Sequence, residues 1–241
     1  MMSTMTAHII AAGGGGFSMS PMGQPTALDR YLLELSGVGS PRVCFIPTAS
    51  ADDPGYINRF LVAYGTLGVR PQVLTLWEGA KRSVQLLAEA DIVVVGGGST
   101  VNLVALWQAH GVDEVIRRLA TTDDKVLFGI SAGACAWHEA CITDSFGGTD
   151  AWRGGVGLVP GSFCPHYDGE AERAPVYIEA VASGLVPGGY AADDGAAIHY
   201  TDGKPYAFIT ERRGAQVFKV NQSVEPSSSG ILVEPQLMTA L

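Results

Sequence analysis

Gly129-Ile130-Ser131-Ala132-Gly133 places a lone serine between two glycines at the end of the apolar run Val126-Leu127-Phe128. The pattern is G-x-S-x-G, which suits a serine hydroxyl lifted clear of a sheet on a tight, strained turn. Small flanking residues let the neighbouring backbone come close. The N–H of Ala132, at the start of the following helix, is then free to face a developing oxyanion. The structural alternative is a small-residue helix start packed closely on the sheet. Cys135 is a second nucleophilic side chain, but it falls one helical turn further on, where a core role is more natural.

A serine nucleophile needs a base, and the base needs an acid to orient it. The chain has five histidines. His8 adjoins the first strand and reads as structural. His110 precedes Gly111 at a helix end, where it favours the helix dipole. His138 follows Ser131 on the same short helix and should point away. Two triads remain open. One joins Ser131, His166 and Asp194; the other joins Ser131, Asp168 or Asp194, and His199. Chain order does not decide between them, because unrelated triads share one geometry in different orders.

Gly96-Gly97-Gly98-Ser99-Thr100 ends another apolar run and opens a helix. Bare N–H groups there could complete an oxyanion hole, and Ser99 or Thr100 could cap the helix. Gly13–Gly16 lacks the spacing of a dinucleotide-binding turn, and no acidic residue ends the next strand.

These turns need a scaffold that brings them together. Apolar strands are expected at 7–12, 42–47, 69–76, 91–95 and 125–130. Helical spacing covers 26–35, 55–64, 83–88, 100–110 and 112–120. Continuous Val/Ile/Leu runs suit strands buried on both faces, and their alternation with helices argues for a parallel sheet. Ligands in such sheets bind off the carboxyl ends of the strands, where all three small-residue turns fall. Beyond residue 140, 146–160 reads as loop, 174–183 as helix, and 189–218 as short strands that include an Asp202-Gly203 turn. One domain over residues 1–241 is expected.

Composition narrows the partners. The net charge is −9 without basic runs, which disfavours a phosphate backbone and so nucleic acid. No apolar run approaches the ~18 residues of a membrane span, and the start of the chain lacks the pattern of a signal peptide. Cys44, Cys135, Cys141 and Cys164 have no CxxC spacing and read as reduced core thiols of a cytoplasmic protein.

The segments AAGGGGFSM, CFIPTAS, VVVGGGST, FGISAGA and PHYD, in this order, resemble the peptidase family of dipeptidase E (the α-aspartyl dipeptidase) and cyanophycinase. The likeness spans roughly residues 8 to 220. It implies a flavodoxin-like three-layer α/β fold with a parallel sheet, similar to class I glutamine amidotransferases but with serine in place of cysteine. It also implies a choice of triad: Ser131, His166 and Asp194, with Asp193 leaving the acid one residue uncertain. The oxyanion hole would be Ala132 with Gly97 or Gly98, and His199 becomes a strand residue.

Dipeptidase E binds a substrate carboxylate through an arginine downstream of its histidine. Arg173 matches that position and could instead pair with Glu170 or Glu172. Tyr167 and Ser99 are further expected substrate contacts. Ser99 stands where dipeptidase E commonly has Asn, and the segment between His166 and Arg173 is shorter, so the chain resembles a distinct branch. The chain is also shorter than expected of a cyanophycinase. The implied function is a serine peptidase acting on small peptides, those with N-terminal Asp among them, as a monomer or homodimer with no metal or cofactor. Its rivals are a non-catalytic ligand-binding relative and an esterase with His199 as base.

Overall fold

The computed structural model describes residues 7–122, 124–222, 230–233 and 236–237. The first half alternates strands and helices: β1 (His8–Ala12), α1 (Ala27–Ser36), β2 (Arg42–Ile46), α2 (Pro54–Gly65), β3 (Arg70–Val73), α3 (Ala80–Leu87), β4 (Ile92–Val95), α4 (Thr100–His110), α5 (Val112–Ala120), β5 (Val126–Ile130) and α6 (Ala132–Trp137). The rest runs β6 (His138–Thr143), β7 (Asp150–Arg153), β8 (Val159–Cys164), α7 (Arg173–Ala182), β9 (Gly189–Ala192), β10 (Ala196–Thr201), β11 (Lys204–Thr210), β12 (Val217–Val220), β13 (Ile231–Val233) and β14 (Gln236–Leu237).

The main sheet has the order β14-β11-β10-β1-β5-β4-β2-β3. Its five strands from β1 to β3 are mutually parallel. Ala12 pairs with Ile130, and Val95 with Gly129. The ends of β1, β5 and β4 therefore lie side by side, and the three small-residue turns meet over one crevice, as the strand pattern predicts.

Successive strand residues face opposite sides, and both sides are covered. Ile10, Phe45, Val94 and Phe128 pack with α1 and α2, whereas Ile9, Cys44, Val93 and Leu127 pack with α4, α5 and α6. This is why the strands read as unbroken apolar runs. α1 starts at a capping box in which the Asp29 carboxylate accepts from Thr26 N and Oγ1. Asp29 also accepts from the Tyr64 hydroxyl at 2.8 Å. Burial pushes its pKa up to about 6, against those three hydrogen bonds.

Beyond β1 the sheet turns antiparallel. β10 and β11 form a hairpin through Asp202-Gly203, both at positive φ (51° and 68°), which is what a two-residue I′ turn requires.

A second sheet, in the order β13-β12-β9-β8-β6-β7, lies on the α6 side of the main sheet. α7 covers its other face. The stretch 146–160, expected as loop, contains β7 and the start of β8. β7 is a short edge strand, Asp-Ala-Trp-Arg, with neither face fully buried, so it carries no apolar signal. His138 is not on the helix. α6 stops at Trp137, and His138 takes extended angles (φ −89°, ψ 171°) to open β6. The segment 193–195 links β9 in the second sheet to β10 in the main one. Among the described residues no helix is long and apolar enough to cross a membrane.

Candidate active site

Ser131 sits between β5 and α6 at φ 54° and ψ −110°, a conformation that L residues rarely adopt. The two glycines of the motif make the turn possible. A Cβ on Gly129 would lie 2.4 Å from the Gly133 backbone, and one on Gly133 would lie 2.4 Å from the Val95 carbonyl oxygen. The turn is held by Ser131 N–H donating to Ala12 O at 3.1 Å and by Cys135 N–H donating to Ser131 O at 2.9 Å.

His166 follows β8 on a turn where it has φ 51°. Its carbonyl accepts from Gly169 and Glu170 N–H, each at 3.2 Å. The ring Nδ1 lies 2.6 Å from Asp194 Oδ1, and Nε2 lies 2.8 Å from Ser131 Oγ. A carboxylate only accepts, so Nδ1–H donates to Asp194 and the Nε2 lone pair accepts from the serine hydroxyl. That is the tautomer in which imidazole can remove the serine proton. The hydrogen bond from His166 holds the Asp194 carboxyl below its usual pKa. Burial opposes this shift, and the charges of His166 and Arg212 favour it.

The neighbouring Asp193 points elsewhere. Its Oδ2 accepts from Gln216 N–H at 2.8 Å, and burial pushes its pKa up to about 6. Asp168 does not touch His166 either. Its Oδ1 accepts from Asp194 N–H at 3.0 Å, and its Oδ2 pairs with Arg212 Nη2. Arg212 Nε in turn donates to Asp194 O at 2.8 Å. One ion pair thus grips both main-chain polar groups of Asp194. Arg212 lies in the polar run Glu211-Arg212-Arg213, and nothing in that run marks it. Only the β10–β11 pairing brings it to Asp194.

The other chemically suggestive residues lie apart from this chain. His199 Nδ1 meets the Tyr31 hydroxyl at 2.8 Å, and Nε2 meets His8 Nδ1 at 2.9 Å. Burial, with His8 beside it, lowers its pKa to about 4. It makes no contact with Ser131, which removes the triad based on His199. His138 is fully buried, with Nδ1 at 2.9 Å from Ala134 O and Nε2 at 3.2 Å from the Tyr200 hydroxyl. Burial takes its pKa down to about 4. Cys135 and Cys164 are buried. Cys135 Sγ lies 3.7 Å from Ile142 O, and burial pushes the Cys164 thiol well up.

Ser131 and His166 open into a cavity of about 210 Å³ whose walls include Gly97, Gly98, Asp144, Glu170 and Arg173. Gly97 lies over the serine: a Cβ there would be 3.4 Å from Ser131 Cβ. Its N–H donates to the Tyr56 hydroxyl at 3.4 Å. Arg173 is 2% exposed. Its Nε pairs with Glu170 at 2.6 Å, and Nη1 donates to Ile142 O at 2.9 Å. Arg173 thus pairs with Glu170 and also walls the cavity. Asp144, absent from the sequence reading, adds a second carboxylate.

Two expected substrate contacts have other places. Tyr167 is 6% exposed and packs in the core with Tyr177 and Val181, its ring 5.0 Å from Phe218. The left-handed His166 turns the chain so that the next side chain points inward. Ser99 caps α4, its Oγ accepting from Asn102 N–H at 3.3 Å. Among the described residues no group of three His, Cys, Asp or Glu side chains is placed to hold a metal.

Residues 9–206 match Peptidase family S51. The chain is 43% identical over 214 residues to the uncharacterized peptidase YgaJ of Bacillus subtilis (strain 168), covering 88% of this chain and 91% of the relative. Two solved structures share the fold. A peptidase from an acI-B1 Actinobacterium has a TM-score of 0.65 at 15% identity, over 91% of this chain and 93% of that one. A putative peptidase E protein from Listeria monocytogenes EGD-e has a TM-score of 0.60 at 19% identity, over 83% and 96%.

Proposed function

The chain belongs to Peptidase family S51, a family of serine peptidases, and on that premise we propose that it hydrolyses small peptides with Ser131 as nucleophile, His166 as general base and Asp194 as the acid that orients His166. One observation carries the reading: an unbroken hydrogen-bonded chain from Ser131 Oγ through both nitrogens of His166 to Asp194. Around it, the serine is held in a strained turn that opens on a cavity.

In this reading Ser131 Oγ attacks the scissile carbonyl carbon while His166 Nε2 takes the hydroxyl proton. The carbonyl oxygen becomes an oxyanion that accepts from Ala132 N–H and from Gly97 or Gly98 N–H. Each such donor contributes on the order of 10²–10³ in rate. His166 then gives its proton to the leaving amine, and the carbon–nitrogen bond breaks. A water molecule, deprotonated by the same imidazole, releases the acyl group from Ser131.

The finer preference, for an N-terminal aspartate, rests on Arg173. Glu170 and Ile142 O occupy Nε and Nη1, so a substrate carboxylate would meet the remaining Nη2 edge. Asp144 and Glu170 beside it suit the substrate's α-ammonium group. The test is hydrolysis of a dipeptide panel that includes Asp-Leu and Ala-Leu, by wild type, Ser131→Ala and Arg173→Ala. Cleavage is expected to vanish with Ser131→Ala. Arg173→Ala should weaken Asp-Leu cleavage selectively. Full activity of Ser131→Ala would overturn the serine mechanism, and equal loss on both dipeptides would overturn the aspartate preference.

A further inference from the structure

A second cavity, of about 440 Å³, adjoins the first; Gly15, Gly16, Met19, Pro21, Ala27 and Asp194 are among its walls. Met19, half exposed, lines both cavities. Asp194 lines the second while its carboxylate holds His166 in the first. The two spaces are therefore the two sides of one methionine.

Which side of a substrate would lie there follows from the chemistry. His166 must reach the serine oxygen and then the leaving nitrogen, so the leaving group lies on the His166 side of Ser131. The wall next to that ring is Gly14. A Cβ on Gly14 would stand 2.2 Å from Asp194 Oδ1, 2.8 Å from Met19 Sδ and 3.0 Å from His166 Cε1. Bare backbone there lets Asp194, Met19 and His166 close against the chain, so the second cavity begins just beyond Met19, on the His166 side of the serine. The charged end of the first cavity, with Asp144, Glu170 and Arg173, is left for the N-terminal residue of the substrate.

The walls of the second cavity indicate what it would take. Glu211 spends both carboxylate oxygens on Gly16 N–H at 2.8 Å and Leu28 N–H at 3.2 Å. Arg212 is engaged by Asp194 O and Asp168. With its charges paired internally, the cavity presents mainly Met19, Pro21, Ala27 and glycine backbone. Its volume lies in the ordinary range of ligand pockets, roughly 300–1,000 Å³. Methionine, unbranched and adaptable, suits a ridge over which different side chains pass.

Resting on the serine-peptidase reading, we propose that this cavity receives the substrate residues that follow the first one after the cut bond, beyond the reach of a dipeptide, and that the enzyme favours peptides longer than two residues with apolar residues in those positions.

The experiment compares kcat/KM on Asp-Leu, Asp-Leu-Leu and Asp-Leu-Leu-Leu, and on the same series headed by Ala, for wild type, Ser20→Trp and Ser20→Phe. Ser20 lines the second cavity and not the first, so a large ring there fills the proposed subsite. Wild type is expected to gain at least tenfold in kcat/KM from dipeptide to tetrapeptide in the series it cleaves. Both variants should lose that gain, mainly through KM, while dipeptide cleavage stays within about twofold. A flat length profile in wild type, or a gain that survives both variants, overturns the proposal. Labelling by a serine-reactive phosphonate separates the two readings. A labelled Ser131 with a flat length profile removes the subsite alone, whereas an unlabelled Ser131 in a folded protein removes the serine mechanism as well.

Discussion

Replacing Arg212 by alanine strips one hand from the grip on Asp194. The side chain donates to Asp194 O at 2.8 Å and pairs with Asp168, which itself accepts from Asp194 N–H. A hydrogen bond from a charged group contributes about 1.5–3 kcal/mol. Arg212 is about half exposed, so the lower end applies, and its exposed ion pair adds only ~0–1 kcal/mol. If about 1.5 kcal/mol of this serves to fix Asp194 under His166, kcat falls about tenfold. KM for a dipeptide should stay nearly constant, because Arg212 is not a wall of the cavity beside Ser131. Asp194 also loses a favourable charge, so its pKa rises. Asp168→Ala should act alike, and the double variant should fall short of the product of the two, since each residue works through the other. Arg212→Lys keeps the charge but not the fork and should recover only part of the rate. Steady-state kinetics beside thermal melting is the assay. An unchanged kcat in both single variants, or a loss confined to KM, would refute the reasoning.

Two further outcomes follow from the site and its surroundings. Asp194→Asn should lower kcat by about 10³–10⁴ by favouring the wrong histidine tautomer, while Asp193→Asn, whose side chain faces Gln216, should stay within about threefold; steady-state kinetics on one dipeptide separates the two. Burial and the neighbouring His8 lower the His199 pKa to about 4 from the usual 6.5, so the unfolded chain binds the extra proton and stability is lost as pH falls from 6.5 towards 4. Asp29 is raised from 3.8 to about 6, so its contribution is full below 3.8 and is lost as pH rises through 6. Urea denaturation across pH 4–7 should therefore show a flatter acid decline in His199→Asn and a steeper one in Asp29→Asn, by at most about 1.4 kcal/mol per pH unit for each group.

Much of the scaffold was legible because burial on both faces leaves a plain mark. The runs at β1, β4 and β5 end in small residues, and parallel pairing aligns those ends without any long-range information. The serine was legible for the same reason, since Gly129 and Gly133 are what a turn this close to the sheet demands. The second sheet was harder to see, because β7 is a polar edge strand and His138 changes from helix to strand in a single residue. Asp193 and Asp194 could not be told apart, because neighbouring residues face opposite ways and only the pairing with Gly14 fixes which one meets His166. Arg212 was invisible because its partners lie 18 and 44 positions away in the chain. Tyr167 was misplaced because a left-handed residue before it reverses the expected direction.

The link at 193–195 carries a wider consequence. Ser131 hangs from the main sheet, His166 from a strand of the second, and Asp194 from the link between a second-sheet strand and a main-sheet strand. Neither sheet holds a working set of groups by itself. On the proposed mechanism, catalysis is thus a gauge of how the two layers dock. By the same mechanism, a slip between them that spared every strand would still part Ser131, His166 and Asp194 and so silence the enzyme.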